Sequence, residues 1–172
     1  MRILPMLFAL VLLPNPATAQ SYYHLQPDGS GSTDIIWCTF SGNACENGAV
    51  IQFESSVTPR VHNTLVAHSP AGTAVHWDGA ATILVNCDLF GNAGGDYTGT
   101  LAGALGVDDN IQADPQFCSP IPDDHESWTL QEDSPCTALN SGAGMRIGAY
   151  GRACGTVAPR ATSWGALKNR HR

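Results

Sequence analysis

Residues 48–54 are read again at 72–78. Gly48-Ala49-Val50-Ile51-Gln52-Phe53-Glu54 falls on Gly72-Thr73-Ala74-Val75-His76-Trp77-Asp78, each residue 24 positions on. Upstream of each block, and once more after the second, lies another strand-like run: Ile36-Trp37-Cys38-Thr39-Phe40, Val61-His62-Asn63-Thr64-Leu65 and Val85-Asn86-Cys87-Asp88-Leu89, at steps of 25 and 24. Two short β-rich runs per period, with Gly and Asn between them, cannot bury their apolar faces alone. They bury them by stacking period on period, as solenoids do. The expected fold is therefore all-β: a short parallel β-helix of about three regular coils, followed by irregular C-terminal coils.

Alternate residues of a strand point to opposite faces, so the repeat also assigns sides. Ile36/Val61/Val85, Phe40/Leu65/Leu89, Ile51/Val75 and Phe53/Trp77 are the expected inward files. Trp37/His62/Asn86, Thr39/Thr64/Asp88, Gln52/His76 and Glu54/Asp78 are the expected outward ones, mostly polar as a solvated face should be. Asn43 and Asn92 follow Gly42 and Gly91 at a turn, with His68 between them, where their side chains can bond backbone that the sheets leave unpaired.

The flanks differ in character. Residues 1–19 carry Arg2, an apolar run from Ile3 to Leu13, and Ala17-Thr18-Ala19 before Gln20, the layout of a signal peptide. The run is shorter than the roughly 20 residues a membrane span needs, and Pro14 and Pro16 break it. Export is the expectation, to the extracellular space or cell envelope, with no transmembrane span. Residues 20–33 contain the strand candidate Tyr22-Tyr23-His24-Leu25 and the turn signal Pro27-Asp28-Gly29-Ser30-Gly31, suited to capping the open first coil. The helix domain is expected over 34–155. A basic tail at 156–172, with Trp164 and Leu167 at helical spacing, reads as a frayed end or a short amphipathic sorting or anchoring tag.

From Gln20 to Gly155 there are three arginines (Arg60, Arg146, Arg152) against all fifteen carboxylates of the chain, and no lysine. A body so acidic repels nucleic acid phosphates, so no nucleic acid partner is expected. Six cysteines in an exported chain invite disulfides. Cys38 and Cys87 share an inward file with Asn63 between them, so two coil steps hold their Cα atoms roughly 9–10 Å apart, beyond bridging range. They are expected as buried free thiols. Cys118, Cys136 and Cys154 lie in the loop-rich end, where cross-links matter most, and Cys118 with Cys136 is the first choice.

Several C-terminal stretches carry a resemblance. Asn63-Thr64-Leu65-Val66-Ala67, Asn92-Ala93-Gly94-Gly95-Asp96-Tyr97, Ala113-Asp114-Pro115-Gln116-Phe117-Cys118, Asp133-Ser134-Pro135-Cys136 and Ile147-Gly148-Ala149-Tyr150-Gly151 resemble the end of bacterial secreted right-handed parallel β-helix repeat proteins of the pectin-lyase-like superfamily. The similarity covers roughly Val57 to Gly155, and Tyr23 to Gly31 looks like the opening strand and turn of the same family. The resemblance implies fold and export. Only about three coils fit here, so the chain looks like a shortened member, and Gln131 and Ala143 stand where further thiols would be expected. Activity in that superfamily ranges from polysaccharide lyases and hydrolases to adhesins without chemistry, so the fold does not select among them.

Candidate chemistry is sparse. Glu54 and Asp78, one coil apart with backbones about 4.8 Å from each other, could share a calcium ion or act as a glycosidase pair, with Asp88 as a third carboxylate. Two solvated carboxylates on a sheet face are the plainer expectation. Lyases and hydrolases of the superfamily call for a basic group over the acids, for which Arg60 is the nearest candidate, and no Arg-x-Lys occurs. Asp108-Asp109-Asn110 and Asp123-Asp124 lack calcium-loop spacing, His62 and His76 fall on different files, and the thiols lack zinc-finger spacing. No catalytic residue, cofactor or metal is therefore expected. The leading expectation is a non-catalytic secreted surface module contacting polysaccharide, an envelope surface or protein. A small carbohydrate-active enzyme is the alternative, and a degenerate fragment without activity the second alternative.

Overall fold

The computed structural model describes residues 32–53, 58–79, 83–118 and 128–154. The expected signal peptide, most of the expected cap, Glu54, Asp123, Asp124 and the basic tail lie outside the described residues. Three strands make the first coil: β1 (Ser32–Ile36), β2 (Thr39–Ser41) and β3 (Ala44–Gln52). The second coil is β4 (Thr58–His62), β5 (Leu65–Ala67) and β6 (Ala71–His76), and the third begins with β7 (Leu84–Val85) and β8 (Asp88–Phe90). Each strand pairs in parallel with its counterpart one coil on, giving sheets β1-β4-β7, β2-β5-β8 and β3-β6. A 3₁₀ segment, Gly99–Ala104, then leads into an irregular fourth turn, where the Asn86 amide bonds Asp108 O at 2.8 Å and Ile111 bridges Asp88. The described residues form a parallel β-solenoid of about four turns.

Its corners are made by left-handed backbone. Trp37, Asn63, Asn86 and Asp109 have φ of 59°, 51°, 49° and 59° and stack one above another. Three of the four are Asn or Asp, the non-glycine residues that enter this region at least cost. At the next corner Gly42, His68 and Gly91 repeat the conformation. His68 thus stacks with the glycines, and Ser69, not His68, lies between Asn43 and Asn92. Asn92 accepts from the Ser69 amide at 3.2 Å and donates to Val66 O at 3.0 Å, which joins two coils through one side chain.

Register differs from the expected steps of 25 and 24 because the coils are unequal. Ala44 pairs with Ala71 but Ala49 with Thr73, so β3 carries an irregularity that β6 lacks. Through β1 and β2 the step to the second coil is 26 residues (Ile35 with Val61, Phe40 with Val66), at the start of β3 it is 27, and after the irregularity it is 24 (Ile51 with Val75). The inward files are consequently Ile35/Val61/Leu84 and Phe40/Val66/Leu89, while Ile36 is 39% exposed and Leu65 faces the other way. Ile51/Val75 and Phe53/Trp77 are inward as expected. Thr64, not Asn63, stands between Cys38 and Cys87. The side chains of Cys38, Thr64 and Cys87 each reach the carbonyl two residues back, at 3.5, 2.9 and 3.4 Å. Both thiols are free and buried, as expected from the coil spacing.

Asn110 closes that file on the fourth turn. It accepts from the Cys87 amide at 2.9 Å and donates to Leu84 O and Val107 O, both at 2.8 Å. Tyr97 fastens the same turn, its hydroxyl donating to Ile111 O at 2.6 Å.

Sheet β2-β5-β8 is buried on both faces. Phe40, Val66 and Leu89 point into the main core, and Leu65 and Ala67 into a second cluster with Leu130, Cys136 and Ile147. That second layer is the C-terminal segment. Its strands β9 (Leu130–Gln131) and β10 (Arg152–Cys154) pair with each other, and Phe117 bridges Leu130. Residues 128–130 and 146–150 belong to this strap and do not continue the coils. It crosses the coils lengthwise: Met145 O meets Asn86, Gly148 N donates to Asn63 O at 2.8 Å, and Ala149 N donates to Thr39 Oγ1 at 2.9 Å. Cys154 on β10 is brought beside Cys118, and these two form the disulfide, with Cα atoms 5.6 Å apart. The expected Cys118–Cys136 bridge is not formed, because Cys136 is committed to the buried layer as a free thiol.

Candidate functional site

The carboxylates picked out in the sequence go to different places. Asp78 follows β6 and is exposed, with His76 Nε2 at 3.4 Å from its Oδ2. Gln52 and His76 are register partners on the outward face of β3-β6, both exposed, so this face is a short polar ladder. Asp88 lies on the outward row of β2-β5-β8, as its file predicted, but it is not solvated. The strap covers it completely. Asp78 and Asp88 therefore belong to different sheets and different environments, and the structure does not bring them together. A catalytic trio with Glu54 is thereby reduced to the Glu54/Asp78 pair, of which only Asp78 is among the described residues.

Asp88 is nevertheless a strongly perturbed acid. Burial pushes its carboxyl up to about 7, against the donors Cys136 and Ala113, and the charges of Asp96 and Asp114 push the same way as burial. Its Oδ1 accepts from the Ala113 amide at 3.1 Å, and its Oδ2 accepts from the Cys136 thiol at 3.0 Å. Cys136 is itself raised, by burial first and by the Asp88 charge second. A thiol held this far toward its protonated form is no nucleophile. Burial likewise pushes Cys87 up to about 12 and raises Cys38, so both behave as core side chains.

Each arginine of the acidic body has an assigned partner. Arg60 makes a bidentate pair with Asp34, its register partner on β1, at 2.8 Å for both bonds. Arg152 pairs with Glu132 at 2.8 Å, and the Arg146 guanidinium sits 5.3 Å from the Trp37 ring centroid. Arg60 thus braces two coils, whereas a lyase would need it poised over acids on the outer face. Asp108 and Asp109 shape the corner with positive φ, and His62 is half-buried on β4 while His76 is exposed on β6. Among the described residues no three His, Cys, Asp or Glu side chains converge as a metal site requires, and no helix is long and apolar enough to cross a membrane.

Two contributors were not singled out in the sequence. Cys136 is legible there only as a disulfide candidate, because its partner Asp88 is distant in the chain. Asp96 accepts from the amides of Gly91 (3.0 Å) and Asn92 (2.9 Å), from Asn92 Nδ2 (2.7 Å) and from Gln112 Nε2 (2.7 Å), clasping the turn and the fourth coil. The close spacing of Asn92 and Asp96 in a glycine-rich turn was its available signal.

No protein-family model, no curated protein and no solved structure matches the chain.

Proposed function

We propose that this protein is a non-catalytic secreted β-helix module of the extracellular or envelope compartment, presenting its uncovered β3-β6 face to polysaccharide or protein. The observation that carries this is the position of Asp88. The carboxylate that an enzyme would add to Asp78 is buried under the strap and engaged by Cys136 and Ala113, so it fastens structure. Gln52, His76 and Asp78 remain exposed on one face, a flat row of donors and acceptors of the kind that reads hydroxyls without transforming them. Export is supported by the signal-peptide layout of residues 1–19 and by the Cys118–Cys154 disulfide, which persists in oxidising compartments. Membership of the pectin-lyase-like superfamily as a shortened member agrees with the parallel coil stack, and rests on the sequence resemblance.

The test is a screen of immobilised plant and microbial polysaccharides with the full oxidised chain and with a Gln52→Ala/His76→Ala/Asp78→Ala variant. Each glycan is also assayed for new reducing ends and for the ultraviolet absorbance of unsaturated uronides. Retention that the triple substitution abolishes, without cleavage, is the expected result. Cleavage products that appear with wild-type protein would reverse the assignment in favour of the carbohydrate-active enzyme.

A further inference from the structure

The strap covers the outer face of sheet β2-β5-β8, which carries Thr39 and Ser41 on β2, Leu65 and Ala67 on β5, and one carboxylate, Asp88, on the last strand. Leu65 and Ala67 lie beside Asp88 on sheet β2-β5-β8, and Leu130, Cys136 and Ile147 close over them, with Ile111 and Phe117 at the margin. A single acid buried between two packed layers makes the closeness of those layers depend on its charge, because ionisation inside the sandwich forfeits hydration that opening would restore. We infer that the C-terminal strap, residues 128–154, is a pH-responsive cover held shut by protonated Asp88 and loosened when Asp88 ionises.

The surroundings of Asp88 set the direction. The titratable groups that act on it are Cys136 from the strap, which bonds it, Asp96 from the loop after the third coil, Asp114 from the fourth turn, and, across the sheet on the core side, Cys87 and Tyr97. Two are further acids and three are neutral groups that burial keeps protonated, so none supplies a positive charge to hold the anion. Closed, Asp88 keeps its proton up to about 7; opened to water it titrates near its ordinary 3.8. The closed state binds the proton more tightly, so closure is favoured most below the ordinary value and weakens as pH rises toward 7. Above that, both states are ionised and the effect levels off. The strap's other attachments, Gly148 to Asn63 O, Ala149 to Thr39 Oγ1 and the Cys118–Cys154 disulfide, do not titrate in this range and keep the opened strap tethered.

Amide hydrogen exchange on the full oxidised chain in a series of pH values between the end points pH 5.5 and pH 8.5, corrected for intrinsic rates and referenced to peptides of β4 and β5, tests this. Strap peptides are expected to lose roughly thirty-fold in protection between the two pH values, the ratio that follows from titration at about 7 closed against 3.8 open. Asp88→Asn is expected to remove the difference. Asp114→Asn alters an exposed residue that faces Asp88 and removes one acid, and it is expected to move the midpoint to lower pH. Strap protection that is the same at both pH values in the wild-type chain overturns the inference, as does an unchanged midpoint in Asp114→Asn. The Asp114→Asn arm holds even where Asp88→Asn fails to fold.

Discussion

The Cys136 thiol lies 3.0 Å from Oδ2 of Asp88, 48 residues away in the chain, and neither residue is exposed. The contact joins the two layers of the molecule at one point: Asp88 stands on the third coil and Cys136 on the strap. Because Asp88 sits on the outer row of its sheet, it adds nothing to the main core. Its whole role in the described structure is played against Ala113 of the fourth turn and Cys136 of the strap.

Cys136→Ala is therefore expected to destabilise the protein by about 1–3 kcal/mol, since it leaves a buried carboxyl oxygen without its donor. Cys136→Ser keeps a donor and is expected to recover part of that loss. Urea unfolding of the three proteins at pH 5.5 checks the order wild type, Ser, Ala; a serine variant no better than alanine would mean that the thiol acts by volume alone.

Much of the solenoid is written in the chain. The pairing of Gly48–Glu54 with Gly72–Asp78 holds in the described part of sheet β3-β6, where Ile51 meets Val75 and Gln52 meets His76. The other sheets were misread by one residue in part of each file, because the irregularity in β3 changes the step and left-handed residues at the corners interrupt strand alternation. Leu65 shows a further limit. In a strand buried on both faces, Leu65, Val66 and Ala67 are all apolar, so hydrophobicity does not say which one faces the core. The fate of Asp88 was out of reach for a related reason: whether an outward residue meets water depends on what lies over it. The strap that covers it has almost no periodicity of its own and is held by glycines, carbonyls and one disulfide.

Gly148 packs the strap directly against the first two coils. Its φ is +95°, and a Cβ there would stand 2.7 Å from Thr39 Oγ1 and 3.3 Å from Leu65 Cβ. Gly148→Ala is expected to lift the strap at the first two coils and to destabilise by about 1–3 kcal/mol through the strained backbone alone. Faster exchange of the Ala149 amide, with β4 and β5 amides unchanged, would locate the damage; uniform loss across the coils would refute the local account.

Asn110→Ala removes the side chain that ends the Cys38/Thr64/Cys87 file. It strands the Cys87 amide and the Leu84 carbonyl in the core, so a loss of about 2–4 kcal/mol is expected. Thermal melting followed by far-ultraviolet circular dichroism reads it. A variant that melts with the wild type would show that water replaces the side chain at no cost.

The disulfide should matter to the strap more than to the coils. Cys118 and Cys154 are 36 residues apart in sequence, and a loop of that size corresponds to about 4 kcal/mol of chain entropy removed from the unfolded state. None of the parallel strand pairs of the coils depends on it, since β1 to β8 are joined by their own ladders. Reduction is therefore expected to expose Cys136 to alkylation under native conditions while Cys38 and Cys87, inside the main core, stay protected until the coils unfold. Peptide mapping after iodoacetamide treatment, with and without prior reduction, distinguishes the cases. If all three thiols react together once the bridge is cut, strap and solenoid form one cooperative unit, and the strap cannot open over an intact stack.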